Sequence, residues 1–345
     1  MKRRTILQML AIAPWTRLAL AKQASRITVF GKLPAPDKVR QVFAAGSPAG
    51  VLTYVLAPNK LIGWPQQLNN EARSFLAPPY RGLPFLGRLA GRGSTVSVER
   101  LLELKPDFIL DIGTVGGTQL STAQRIAQQT GIAYVLVDGR LADSPGQLRD
   151  VGRLLGVARR GEQLAAYAEA TISLTAHWRG PRAAEKARSI YFGRGLDGLE
   201  TGARDSINME VIDLAGARNV AADAGKGGLT RVSLEQVLTW NPDIIVSQDQ
   251  ALARRIASDP LWRSLASVRA GRVHGVPSLP FGWLDGPPSA NRLIGVRWLL
   301  AHLHPDLVSS SGQSHLRSAT VEFYRLFYGV DVTRDGLGKI LGADV

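Results

Sequence analysis

Arginine, tryptophan and glycine recur together in a few short stretches of this chain, among them Arg88-Leu-Ala-Gly-Arg92-Gly-Ser94, Gly193-Arg194-Gly-Leu196 and Trp283-Leu-Asp285-Gly286. Each residue type does something definite to a bound molecule. Arginine presents a rigid fork of donors that suits carboxylates and catecholates, tryptophan offers a flat apolar face, and glycine lets backbone come close. On that chemistry Arg88, Arg92 and Arg194 are candidate cationic contacts, and Trp64, Tyr191 and Trp283 are candidate apolar walls. Asp285 is either a polar contact or a turn residue ahead of Gly286-Pro-Pro288. The Gly-rich Gly113-Thr-Val-Gly-Gly117 lies between an apolar run and a helical pattern, where backbone N–H groups could receive an anion.

Groups that would transform a ligand are harder to find. The sequence has no Gly-x-Ser-x-Gly elbow, no Gly-x-x-x-x-Gly-Lys-[Ser/Thr] loop and no acid/base pair of histidines. Its five histidines, His177, His274, His302, His304 and His315, are spread out, and none has carboxylates at the spacing of a first-row metal site. Neither a side-chain metal site nor a cofactor is expected.

The elements that must position these residues announce themselves by repetition. Val96-Ser-Val-Glu-Arg-Leu-Leu-Glu-Leu-Lys-Pro-Asp-Phe-Ile-Leu110 returns 136 residues later as Val232-Ser-Leu-Glu-Gln-Val-Leu-Thr-Trp-Asn-Pro-Asp-Ile-Ile-Val246, with seven of fifteen positions identical. Val98, Leu101 and Leu102, like Leu234, Val237 and Leu238, recur at i, i+3, i+4 and so mark a short amphipathic helix. A Ser caps it and a Pro stops it. The Asp then leads into an apolar run suited to a strand covered on both faces of a parallel sheet. Glu99 and Glu235 fall in the first helical turn, beside the apolar stripe, and should face solvent at equivalent places.

Strands expected at 26–30, 133–137, 188–193 and 272–276 alternate with helices at 118–130, 208–215 and 251–258, and a helix followed by a short strand is expected over 52–64. Such alternation implies an α/β fold with parallel sheets and right-handed crossovers. It stops between Pro145 and Trp178, where Leu148, Val151, Leu154 and Leu155 form one stripe and an Ala-rich segment from Glu162 forms another. Two further helices, 289–303 and 315–327, close the chain. The division is an N-terminal lobe over 22–144, a helical connector over 145–187 and a C-terminal lobe over 188–345. At 345 residues and 45% apolar composition both lobes can bury a core.

Residues 1–21 read as an export signal: Met1-Lys-Arg-Arg4 is basic, Thr5 to Pro14 is mostly apolar, and Ala19-Leu-Ala21 offers a cleavage site before Lys22. Arg3-Arg4-Thr-Ile-Leu-Gln8 also resembles a twin-arginine signal. The expected location is periplasmic, without a lipoprotein anchor because the chain has no Cys. The formal charge is +14, of which Lys2, Arg3, Arg4 and Arg17 supply four, leaving +10 after cleavage. Scattered arginines and the absence of a helix-turn-helix or ribonucleoprotein motif argue against nucleic acid as a partner. An anionic small ligand or an acidic membrane surface fits better.

The doubled V-S-x-E-x-[LV]-L-x-x-x-P-D motif, the single long helix between lobes, Tyr191-Phe-Gly followed by Glu200-Thr-Gly, Glu210-Val-Ile-Asp-Leu-Ala-Gly-Ala-Arg-Asn-Val220 and the export signal together resemble the substrate-binding proteins of ABC importers for ferric siderophores, haem and cobalamin. The resemblance implies two Rossmann-like lobes joined by one long α-helix, a ligand in the cleft between them, and delivery of that ligand by a monomer to an inner-membrane ABC permease. It implies docking of Glu99 and Glu235 onto permease arginines, and it puts Trp283-Leu-Asp285 where cobalamin-binding relatives contact ligand. Open α/β sheets bind ligands at the carboxyl ends of their strands, so the cleft should be lined by 31–34, Trp64, 88–94, 113–117, 193–196, 248–250 and 279–285. The expected ligand is a metal chelate such as a ferric siderophore, haem, a corrinoid, or a nickel or cobalt complex; an oxyanion such as molybdate is the alternative. A two-lobed periplasmic enzyme of chelatase type is the competing class.

Overall fold

A computed structural model describes residues 26–90, 93–179, 187–304 and 312–342; the proposed export signal and Arg92 lie outside them. In chain order the strands are β1 (Ile27–Phe30), β2 (Val42–Ala44), β3 (Phe108–Gly113), β4 (Ala133–Asp138), β5 (Ser189–Gly193), β6 (Glu200–Gly202), β7 (Arg218–Asn219), β8 (Leu229–Arg231), β9 (Ile244–Ser247) and β10 (Val273–Gly275). The helices are α1 (Ser47–Leu56), α2 (Asn70–Ser74), α3 (Val98–Leu104), α4 (Gly117–Thr130), α5 (Ser144–Leu154), α6 (Ala158–Arg179), α7 (Glu210–Leu214), α8 (Leu234–Trp240), α9 (Gln250–Ser258), α10 (Ala266–Arg269), α11 (Arg292–Leu303), α12 (Gly312–Phe323) and α13 (Arg334–Leu341).

The sheets have the orders β1-β4-β3-β2 and β10-β9-β5-β7, with β6 and β8 pairing separately. The fold is α/β with two Rossmann-like lobes. All ladders of the second large sheet are parallel, as are β2–β3 and β3–β4 of the first. The first strand departs from expectation: β1 pairs antiparallel with β4, Phe30 opposite Tyr134. Its carboxyl end therefore lies at the amino end of β4, and a Cβ on Gly31 would come within 3.2 Å of Ala133 Cα.

The repeated motif folds the same way twice. Ser97 and Ser233 accept from the backbone N–H groups of Arg100 and Gln236, and Lys105 and Asn241 end their helices in the left-handed region at φ 45° and 41°. The Asp after each Pro then fastens the neighbouring strand. Asp107 accepts from the N–H groups of Arg40 and Gln41 ahead of β2, and Asp243 from the Ser189 N–H and hydroxyl at the start of β5. Two pairs of parallel strands, β2–β3 and β5–β9, are set in register by one local device.

The lobes share a continuous apolar core that takes in Val42 and Leu110 of the first sheet, Ile190 and Val246 of the second, and Leu148, Leu164, Leu293 and Phe323 from α5, α6, α11 and α12. An aromatic seam runs through it, with Trp64 5.5 Å from both Tyr54 and Phe281, and Phe281 5.8 Å from Tyr328. A charged hub adds to the joint. Arg292, 1% exposed, donates to Glu210 Oε2 at 2.6 Å, Gly139 O at 2.6 Å and Ile207 O at 3.3 Å, while Glu210 also accepts from Leu141 N–H at 2.8 Å. One buried guanidinium thus ties the exit of β4 to the second lobe.

Candidate functional site

Between the lobes lies a cleft of about 650 Å³. The first lobe contributes Gly46, Ser47, Pro48, Arg88, Asp111, Gly113, Thr114 and Gln119, and the second contributes Arg194, Gly195, Glu200, Asn208, Gln248, Asp285, Pro287 and Pro288. Ala44, Gly113, Gly193 and Ser247, the last residues of β2, β3, β5 and β9, all belong to this lining or fall within two residues of it, as parallel sheets require of their ligand sites.

Two helices open on the cleft with amino ends that no side chain caps. The caps of α1 and α4 are Gly46 and Gly116, both extended; Ser47, Pro48 and Gln119 of their first turns belong to the lining. The first N–H groups of a helix have no intrahelical acceptor and carry about half a positive charge at the terminus. Gly113 and Thr114 of the glycine stretch, with Gly46 and Ser47 of the other turn, border the cleft beside these two helix starts.

The arginines are less open than their types suggest. Arg194 Nη1 donates to Glu200 Oε1 at 2.6 Å, and its Nε lies 2.6 Å from Asp285 Oδ2, although the Nε–H is not directed at that oxygen. Asp285 is 7% exposed and accepts from Asn208 Nδ2 at 3.0 Å. Burial pushes its carboxyl upward, opposed by Arg194 and Asn208, with Glu200 adding to the rise and Arg292 opposing it. Arg88 donates from Nε to Gly93 O at 3.1 Å. Asp111 is 9% exposed and accepts the Tyr134 hydroxyl at 2.9 Å; burial pushes its carboxyl up as well.

Of the residues singled out by sequence, Arg88, Arg194 and Asp285 come together in the cleft. Trp64, Tyr191 and Trp283 do not: each is 0% exposed. Trp64 is consumed by the aromatic seam between lobes. Tyr191 faces Trp240 and Trp262 at 6.3 and 6.1 Å, and its hydroxyl donates to Gly198 O. Trp283 packs in the shared core. The loop at 31–34 is also off the cleft, because antiparallel β1 delivers it to the opposite edge of the sheet. Glu99 and Glu235 are exposed second residues of α3 and α8. Each carboxyl is held below its ordinary range, first by its own backbone N–H and then by the capping serine. Ser47, Asp111, Gln119, Glu200 and Asn208 were not foreseen as site residues. For Ser47 the available signal was a Gly-Ser-Pro start following an apolar triplet.

Among the described residues no group of three or more His, Asp or Glu side chains could hold a metal ion, and no helix is long and apolar enough to cross a membrane.

Two α/β lobes fixed by one long helix and a shared core, with a polar cleft at their facing strand ends, define a two-lobed solute-binding protein. The chain belongs to the periplasmic binding protein family, whose model matches residues 85–279, and its class is the substrate-binding component of ABC importers. It is 26% identical over 366 aligned positions to the molybdate-binding protein MolA of Haemophilus influenzae, covering 98% of this chain and 100% of that protein. An ABC transporter solute binding protein of Sulfurospirillum deleyianum superposes with a TM-score of 0.80 at 25% identity, over 89% of this chain and 95% of that one. Molybdate-bound MolA superposes with a TM-score of 0.70 at 23% identity, over 88% and 96%. These relatives are transport proteins, and members of the family deliver small ligands to ABC permeases.

Proposed function

We propose that the cleft captures a small oxyanion, with molybdate as the leading example, and presents it to an inner-membrane ABC permease without chemical turnover. The observation that carries this reading is the lining: two uncapped helix amino ends and Arg88 and Arg194 face the space, and no aromatic ring does among the described residues. A flat chelate would require apolar walls, and the rings expected to provide them are in the core. The likeness to MolA over nearly the whole chain supports the same ligand class. A metal chelate is the second reading, favoured by the volume of about 650 Å³, which lies within the range of roughly 300–1,000 Å³ typical of organic-ligand pockets.

In this reading residues 1–21 direct export and are removed. The mature monomer docks through Glu99 and Glu235, which remain ionised and accessible. Closure on ligand is limited, because α6, the aromatic seam and Arg292 resist hinge motion. Calorimetric titration of the mature protein with molybdate, tungstate, sulfate, a ferric siderophore, haem and a corrinoid tests the ligand class. Molybdate or tungstate should bind at micromolar or better; micromolar binding of a chelate with no heat from any oxyanion would overturn the first reading in favour of the second.

A further inference from the structure

The oxyanion reading leaves an imbalance of charge that the cleft must resolve. Among the described residues its charged lining is Arg88, Asp111, Arg194, Glu200 and Asp285, two cations against three carboxyl groups. The better enclosed arginine is already compensated: Glu200 and Asp285 each approach Arg194 to 2.6 Å. An anion that takes up the charge of Arg194 must displace or outweigh those carboxylates, and an uncompensated charge in a place screened from water is unfavourable. Something positive has to enter with it.

The group best placed to accept a proton is Asp285. Its side chain is 5% exposed, against 27% for Glu200, so Glu200 can lean on solvent when Arg194 turns to a ligand and Asp285 cannot. Among the described residues its neutral donor is the Asn208 amide. The groups that face it are Arg194 at the end of β5, Glu200 in β6, Asn208 ahead of α7 and Arg292 at the start of α11, with Asp111 and Arg88 across the cleft. Arg292 is itself engaged by Glu210 at 2.6 Å and does not replace Arg194. When an oxyanion engages Arg194, the Asp285 carboxylate loses its main support, and a proton from solvent converts it to a neutral acid whose O–H is a donor.

We propose that this cleft takes its oxyanion together with one proton, which resides on Asp285. The proposal rests on the oxyanion reading and adds to it a ligand rule: affinity rises as pH falls, since the bound state holds the extra proton. Titration of the full mature protein with sodium molybdate between pH 6 and 8, in two buffers of different ionisation enthalpy, reads the proton directly. About one proton should be taken up per anion, with the association constant rising up to about tenfold per pH unit. Asp285→Asn should bind with no proton uptake and a flat pH profile, while Asp111→Asn should keep the uptake. Wild-type binding without proton uptake overturns the proposal and leaves the oxyanion reading standing. Uptake that persists in Asp285→Asn and vanishes in Asp111→Asn also overturns it. Absence of molybdate and tungstate binding in wild type and variants overturns both readings.

Discussion

Replacing Arg292 with Met keeps the length of the side chain and removes its charge, which makes it a sharp test of how the lobes are joined. The guanidinium is 1% exposed and serves Glu210, Gly139 O and Ile207 O at once. Met fills most of the vacated space, so the cavity contribution is small. What remains is a Glu210 carboxylate without its cation, and the Gly139, Ile207 and Ser289 carbonyls without this donor. Removing one partner of a buried ion pair costs about 3–5 kcal/mol. The Glu210 side chain is 25% exposed and keeps the Leu141 N–H, so water shares its charge and the lower end, about 3 kcal/mol, is expected. With a urea m-value near 3 kcal/mol/M, the unfolding midpoint should fall by roughly 1 M. Glu210→Gln should cost more, because it strands the more deeply buried partner, and the double variant should cost less than the sum by about 1 kcal/mol or more. If Arg292→Met costs under about 1 kcal/mol at unchanged m, or if the two changes add, the pair does not hold the lobes together.

Glu99→Ala with Glu235→Ala should leave ligand affinity nearly unchanged, since neither lines the cleft, while uptake through the permease in reconstituted vesicles falls; equal loss of binding would assign both to the fold or the site. Arg194→Ala should weaken oxyanion binding about tenfold to a hundredfold, the worth of a charged hydrogen bond, with calorimetry as readout and wild-type affinity as the refuting result. His274 is pushed down to about 4 by burial, His302 and Arg272. The unfolded chain therefore binds a proton below about 6.5 that the folded chain refuses until about 4. Stability contributed by neutral His274 is present above that window and lost as pH falls through it, so His274→Gln should flatten the acid side of a denaturation-midpoint profile between about pH 6.5 and 4.

The fold was legible wherever local chemistry and tertiary role coincide. The repeat is the plainest case, since its serine cap, apolar stripe, turn and strand all lie within fifteen residues, and its Asp does the same job in each lobe. The elements that escaped depend on partners distant in sequence. β2 is three residues long and earns its identity only from β3 and from Asp107. β1 has a strand's composition, but nothing in Ile27-Thr-Val-Phe30 records that it runs antiparallel to β4. The helix expected over 315–327 begins earlier, as α12, and passes after Phe323 into a wider π turn, Tyr324–Tyr328, whose rings complete the seam with Tyr54 and Phe281. α13 follows a Thr333 cap and has the pattern of an ordinary amphipathic helix.

The cleft lining was legible for Arg88, Arg194, Gly113 and Gly195 and not for the aromatics, and the reason is physical. A tryptophan near a strand end is equally suited to a ligand and to a second lobe, because both offer an apolar surface; only the packing of one lobe on the other decides. Here the lobes take the rings, with Trp64 against Phe281 across the join, and the same packing that stiffens the molecule leaves the cleft to polar groups. Asp285 was legible as a candidate, but its sharing of Arg194 with Glu200 escaped for the converse reason. Glu200 and Asp285 are 85 positions apart, and neither segment reveals that both converge on Arg194. That convergence changes what the arginine can do: a free guanidinium would attract any anion, whereas one already shared between two carboxylates discriminates by what the newcomer brings with it. Under the proposed oxyanion reading, ligand choice in this cleft follows the balance among Arg88, Asp111, Arg194, Glu200 and Asp285, its charged lining among the described residues, and pH is the variable through which that balance is open to measurement.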